Sequence, residues 1–287
     1  METWSISSYS IYTNRPPLTD CSPLITNTGL CVPGVTVASQ VDLHKRIYGG
    51  RDCGATERPH HVVLTSTTTT TIKTATGTST STLQSFCGGT LISDQWVLTA
   101  AHCHEPGWTL TAILGKLQNP TERHVITDPP VFFTDTNGTH DIMLLKLPTT
   151  TAVQRAVLPP DCSGHPNIGA VVTVSGRSRT NSNSGDIKVI LPLNLTLPLQ
   201  CLDIKVVTCR PCSINSSYVY PNVFCYKEAG KDTTGGDSGG GVMYNGTLYG
   251  VHVAGGEKLC NEEARAVKVC KKIYLDWIKT TTGIQIP

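Results

Sequence analysis

Residues 86–103 read FCGGTLISDQWVLTAAHC, two short apolar runs, TLIS and WVLTA, parted by Asp94 and Gln95 and bounded by Cys87 and Cys103. Runs of four or five apolar or β-branched residues broken by turn formers are too short for helices and suit strands. The pattern extends outward from this stretch, to HVVL (61–64) upstream and to DIMLLKL (141–147) and AVVTVSG (170–176) downstream. From Ile47 onward the chain therefore reads as all-β. A length of 287 residues suits one large domain or two barrels packed as a unit.

The flanks differ. Residues 1–46 are rich in Pro, Ser and Thr, hold Cys21 and Cys31, and show no sustained apolar period, as expected of a propeptide. Residues 65–82, TSTTTTTIKTATGTSTST, offer no apolar face and are expected to form an exposed loop inserted between two strands. Near the end, KKIYLDWIKTTTG (271–283) spaces Ile273, Trp277 and Ile278 for a closing helix, with Gly283 as its stop.

Only 15% of residues are charged and the net charge is +2, which gives no basic face for nucleic acid and no polybasic membrane anchor. Twelve cysteines without zinc-site spacing point to disulfides and an oxidising compartment. Sequons at Asn137, Asn194, Asn215 and Asn245 agree with passage through a secretory pathway. METWSISSYSIYTNRPP lacks the basic start and apolar stretch of a signal peptide. The cysteines still favour a secreted, extracellular protein.

Hydrolysing an amide at neutral pH requires a nucleophile stronger than water, a base for its proton, and donors aimed at the oxyanion. Three segments supply these parts: the stretch ending in His102; HDIMLLKL, with Asp141; and KDTTGGDSGGG (231–241), with Ser238. In order and separation they resemble the signature motifs of trypsin- and chymotrypsin-like serine proteases, from Ile47 to about Ile278. The resemblance implies two six-stranded antiparallel barrels, residues 47–155 and 156–287, with a terminal helix. It gives Ser238 the attack, His102 the proton transfer, Asp141 the orientation of the imidazole, and the amides of Gly236 and Ser238 the oxyanion hole.

It implies activation as well. Lys45-Arg46 precedes IYGG, which is similar to the family's start after a basic cleavage site. Cutting after Arg46 would free the Ile47 amino group to pair with Asp237. Asp232, six residues before Ser238, matches the base of the primary pocket and favours Arg or Lys before the scissile bond.

Several positions depart from the family pattern. Thr234 stands where a pocket cysteine is usual, although Cys260 lies near the expected partner. GVHVAGG (250–256) puts Val253 and Ala254 where Ser and Trp commonly precede the glycine, here Gly255, assigned with Asp232 to substrate binding. His252 is read as a packed histidine. Ala264 and Ala266 fall near the family's pocket-wall Gly and Tyr, so a narrowed or reshaped pocket is expected. Val172 and Tyr244 replace both members of a bonded pair.

By the same resemblance Cys87 bonds Cys103 and Cys162 bonds Cys270. Cys225 takes Cys209 or Cys212, and Cys53 takes Cys201, Cys209 or Cys212. Cys21 and Cys31 pair with each other, or Cys31 tethers the propeptide to the body. The expected partners are protein or peptide substrates, an activating protease and protein inhibitors, with no nucleic acid and no membrane, for a monomer. No metal or organic cofactor is implied. The competing reading from another class is a non-catalytic homologue that binds a partner.

Overall fold

Strand and turn alternate along the chain as the apolar runs require. The structure is a computed structural model that describes residues 47–74, 77–116, 119–177, 179–181, 189–191, 198–210, 222–255 and 263–287. All belong to one unit that runs from Asp42 to Pro287. Arg46, Asn194, Asn215, Cys21, Cys31, Cys212 and Cys260 lie outside the described residues.

After β1 (Arg51–Asp52) come β2 (His61–Thr74), β3 (Gly77–Leu91), β4 (Trp96–Thr99), β5 (Thr109–Lys116), β6 (Asn119–Val125), β7 (Val131–Asp135) and β8 (Gly138–Lys146). Strands β2 to β8 form one antiparallel sheet in the order β6-β5-β2-β3-β4-β8-β7. The chain continues through β9 (Val171–Gly176), β10 (Arg179–Asn181), β11 (Val189–Leu191), β12 (Gln200–Val207), β13 (Val223–Tyr226), β14 (Gly241–Tyr244), β15 (Thr247–Ala254) and β16 (Ala264–Lys268). Here the order is β1-β12-β13-β16-β15-β14-β9, and a further pairing of β9 with β12 closes six of these strands into a barrel. Among the described residues, strands β10 and β11 pair only with each other.

The first sheet's core is apolar, with Leu64, Leu91, Leu98, Leu144 and Leu145 each at most 1% exposed. Each such side chain contributes on the order of 2 kcal/mol through burial. The helix α1 (Lys272–Thr282) joins this core through Tyr274, Leu275 and Ile278. Gly283 ends it in the left-handed region, at φ 72°, with its N–H on Lys279 O. The expected apolar face is corrected in one place: Ile273, in the first turn, is 43% exposed, and Tyr274 and Leu275 take the core side instead.

Residues 65–82 are not a loop. They lie in a continuous β2–β3 ladder from His61↔Thr90 out to Thr74↔Gly77. β5 covers β2 only as far as Thr67, so the rest projects as a two-stranded ribbon. Ser and Thr suit this, because β-branched residues favour extended backbone and a paired ladder satisfies its own amides without a buried face. The expected exposure holds from Thr69 outward, where Thr69, Thr70, Thr71, Thr78, Thr80 and Thr82 face solvent, but Thr65 and Ser66, paired with β5, are buried.

Disulfides join Cys53–Cys201, Cys87–Cys103, Cys162–Cys270 and Cys209–Cys225. The open alternatives thus resolve to Cys201 for Cys53 and Cys209 for Cys225. The β9–β14 register sets Thr173 opposite Met243, and one step further it lays Val172 beside Tyr244, in the same apolar cluster.

Candidate active site

The β4–β8 ladder pairs Thr99 with Met143. Continued two residues past β4, the register lays Ala101 beside Asp141, and the 3-10 turn Ala101–Cys103 comes to rest on the carboxylate. The His102 backbone N–H donates to Asp141 Oδ1 at 2.9 Å, and ring Nδ1 lies 2.7 Å from Oδ2. Asp141 is fully buried, whereas the His102 side chain is 31% exposed. A buried carboxylate accepting from Nδ1–H leaves the Nε2 lone pair as the base on the open side of the ring. The preceding residue braces this strand: His140 Nδ1 is 2.8 Å from the Tyr274 hydroxyl, and its ring packs edge-on against Phe133.

Ser238 lies on the turn between β13 and β14. Asp237 N donates to Thr234 O at 3.1 Å, Gly240 N to Asp237 O at 3.0 Å, Gly239 N to His252 O at 2.7 Å, and His252 N to Gly240 O at 2.9 Å. Gly236 and Gly239 take φ of 92° and 82°, where any side chain would strain the backbone. Among the described residues the N–H groups of Gly236 and Ser238 have no protein acceptor.

The turn is seated on the first sheet by backbone. Gly88 N donates to Ser238 O at 2.7 Å. A Cβ at Gly88 would fall 2.9 Å from the Gly240 backbone, and one at Gly239 would fall 2.1 Å from Thr99 Oγ1. Ser238 O is 3.6 Å from Cys103 Sγ, next to His102 in sequence. His102 and Asp141 are thus bonded directly and Ser238 is set alongside them; among the described residues its hydroxyl has no hydrogen bond to the imidazole.

The residues that the resemblance assigns to the pocket and to activation are mostly buried. Asp232 is 3% exposed, and its N–H donates to Tyr48 O at 2.9 Å. Asp237 is fully buried; its Oδ2 accepts from Thr234 N at 2.8 Å and Thr234 Oγ1 at 3.2 Å. A Cβ on Gly176 would lie 1.8 Å from Asp237 Oδ1. The Ile47 side chain is 1% exposed and belongs to the second sheet's apolar cluster. Gly255 stands exposed just past β15.

Some of these contacts carry no motif in the sequence. Thr234 stands where a cysteine is usual, yet it binds Asp237. Tyr226 carried no motif, yet it is fully buried and hydrogen-bonded to His252. The one available signal was a histidine in an otherwise apolar strand. The His/Cys/acid groupings close enough for a metal ion among the described residues, Cys87–His102–Cys103 and Cys53–Glu57–Cys201, each rely on two disulfide-bonded sulfurs, which cannot act as thiolate ligands.

Comparison with known proteins agrees with this geometry. The trypsin family model matches residues 47–278. The chain belongs to the trypsin family. Its relatives include trypsin-2 of Salmo salar, 34% identical with 82% of this chain and 95% of the relative covered. Trypsin-1 of the same fish is 33% identical, with 86% and 94% covered. A trypsin of Xenopus laevis is 32% identical, with 82% and 90% covered. As a trypsin-family member the chain is a serine protease, a hydrolase acting on proteins, with the family's mostly-β fold. Among the described residues no helix is long and apolar enough to cross a membrane.

Within that family the chain's departures have packing counterparts. Ala264 and Ala266, at the expected pocket wall, sit opposite Tyr226 and Phe224 in the β13–β16 register. Small residues on one strand thus face large aromatics on the next.

Proposed function

We propose that this chain is a secreted endopeptidase, made as a zymogen, that hydrolyses peptide bonds through Ser238, His102 and Asp141. His102 Nε2 takes the Ser238 proton as the oxygen attacks the scissile carbonyl, and the amides of Gly236 and Ser238 receive the oxyanion. The imidazolium returns the proton to the leaving amine, and water then resolves the acyl-enzyme by the same steps. The observation that carries this reading is the doubly bonded His102–Asp141 pair with its buried carboxylate.

Cleavage after Arg46 frees Ile47, whose ammonium pairs with Asp237 and orders the turn, a buried ion pair used as a switch. Asp232, a buried carboxylate six residues before the nucleophile, supports cleavage after Arg or Lys. Residues 1–46 are the propeptide, and residues 47–155 and 156–287 the two halves that face across the cleft.

The test is a fluorophosphonate probe on the chain cleaved after Arg46, with Ser238→Ala as control. Labelling at Ser238 that is lost in the variant is expected. A folded, cleaved chain that does not label would favour a binding module instead.

A further inference from the structure

Thr234 stands four residues before Ser238, where the family pattern has a cysteine, and three hydrogen bonds tie it to Asp237. The Asp237 N–H donates to Thr234 O at 3.1 Å. In return the Thr234 N–H and Oγ1 both donate to Asp237 Oδ2, at 2.8 and 3.2 Å. The two residues are 4% and 0% exposed, so water does not compete for these bonds and each is correspondingly strong. On its other side the carboxylate lies against Gly176, where even a Cβ would fall 1.8 Å from Oδ1. It has no room to swing that way.

Between the tied residues lie Gly235 and Gly236. Gly236 takes φ of 92° and Gly235 keeps a φ that is not positive, which with the Asp237-to-Thr234 bond describes a type II turn. Types I and II share that closing bond and differ by a flip of the peptide between the two central residues. Here both central residues are glycine, so the backbone itself permits either state. The N–H of the peptide that flips is that of Gly236, which has no protein acceptor among the described residues. Closing the turn therefore leaves the direction of this N–H open, and contacts that fix the flanking residues must choose it.

A cysteine held in a disulfide has no hydrogen to donate. The residue usual in the family therefore cannot make the bond from Oγ1, and braces the turn through its bridge instead. We infer that Thr234 is a positioning residue of this chain: its hydroxyl latches the Asp237 carboxylate from within the turn and keeps the Gly236 N–H aimed at the oxyanion, in place of the missing bridge. The inference rests on the reading of Ser238 as the nucleophile and Gly236 as an oxyanion donor.

The full chain, cleaved after Arg46, is titrated with the fluorophosphonate so that rates refer to active sites. kcat and KM are then measured on whichever of the Arg, Lys and Leu reporter peptides the parent cleaves fastest. Thr234→Val keeps the shape and removes the hydroxyl. It is expected to lower kcat about 30-fold with KM changed by less than about twofold. Inhibition by a matching peptide boronate, whose tetrahedral oxygen takes the place of the oxyanion, should weaken by a similar factor. Thr234→Ala, which adds no atoms, shows the same loss, and Thr234→Ser, which keeps the hydroxyl, returns kcat to within about threefold of the parent. A parent that does not label, or that cleaves none of the three peptides, overturns this inference together with the peptidase reading. Valine and alanine variants with fewer active sites but normal kcat per site, or a serine variant no better than valine, overturn this inference alone.

Discussion

The sheet of β2 to β8 closes over leucine and valine, and the carboxylate it buries, Asp141, is bonded twice by one histidine. The barrel of β9 and β12 to β16 has an apolar cluster of its own, but it also buries the hydrogen-bonded pair Tyr226 and His252, and the buried carboxylates of Asp237 and Asp232 act on Tyr226. An apolar core holds its shape through dispersion and burial, and is sensitive chiefly to changes of volume. A polar interior holds its shape only while every group keeps its partner. The first half is thus suited to supply a fixed base, and the second to supply what must vary, the switch and the choice of substrate.

The strongest attack on this contrast is Gly176→Ala. Its methyl carbon would fall 1.8 Å from Asp237 Oδ1, so the carboxylate must move and the nucleophile turn with it. A fall of about 1000-fold in kcat/KM, or about 4 kcal/mol, is expected in the cleaved enzyme, with the fold retained by circular dichroism. Near-normal activity would mean that the polar interior is as forgiving as a surface.

Leu144→Ala probes the dry side. It removes a fully buried side chain and should cost about 3 kcal/mol by urea unfolding, while the ranking of Arg, Lys and Leu peptides stays as in the parent. A changed ranking would show that the first core also sets selectivity.

The seam between the halves gives the smallest effect. Burial, and then Arg58, holds His60 down at about 4 against the ordinary 6.5. Burial, and then Arg177, holds His61 at about 3. Both are neutral in the folded chain, and the unfolded chain takes up protons first. Their stabilisation is complete above pH 6.5 and is lost as the pH falls towards 4 and then 3. The share of His60, read as the difference in acid sensitivity between the parent and His60→Gln, should reach about 2 kcal/mol at pH 5. Equal sensitivity in the two would place the acid response elsewhere.

What was legible in the sequence was what chemistry compresses into short runs. His102, Asp141 and Ser238 sit in contiguous motifs, and the β4–β8 register brings the first two together as their order implies. The Cys87–Cys103 bridge follows from the same segment. The ribbon of residues 65–82 was misread because apolar periodicity reports burial, and a ladder of exposed threonines buries nothing. Ile273 was misplaced because helical spacing fixes a stripe but not which edge of it meets the core. Tyr226 and His252 lie 26 residues apart on strands that meet only through β16, so nothing local linked them.

Gly88 and Gly240 bring the two sheets together at main-chain distance, with no side chain between them to act as a cushion. Relative breathing of the halves would therefore be felt first at the carbonyl of Ser238, which Gly88 holds. If Ser238 is the nucleophile proposed above, its alignment is a direct gauge of how closely the two sheets meet at this contact.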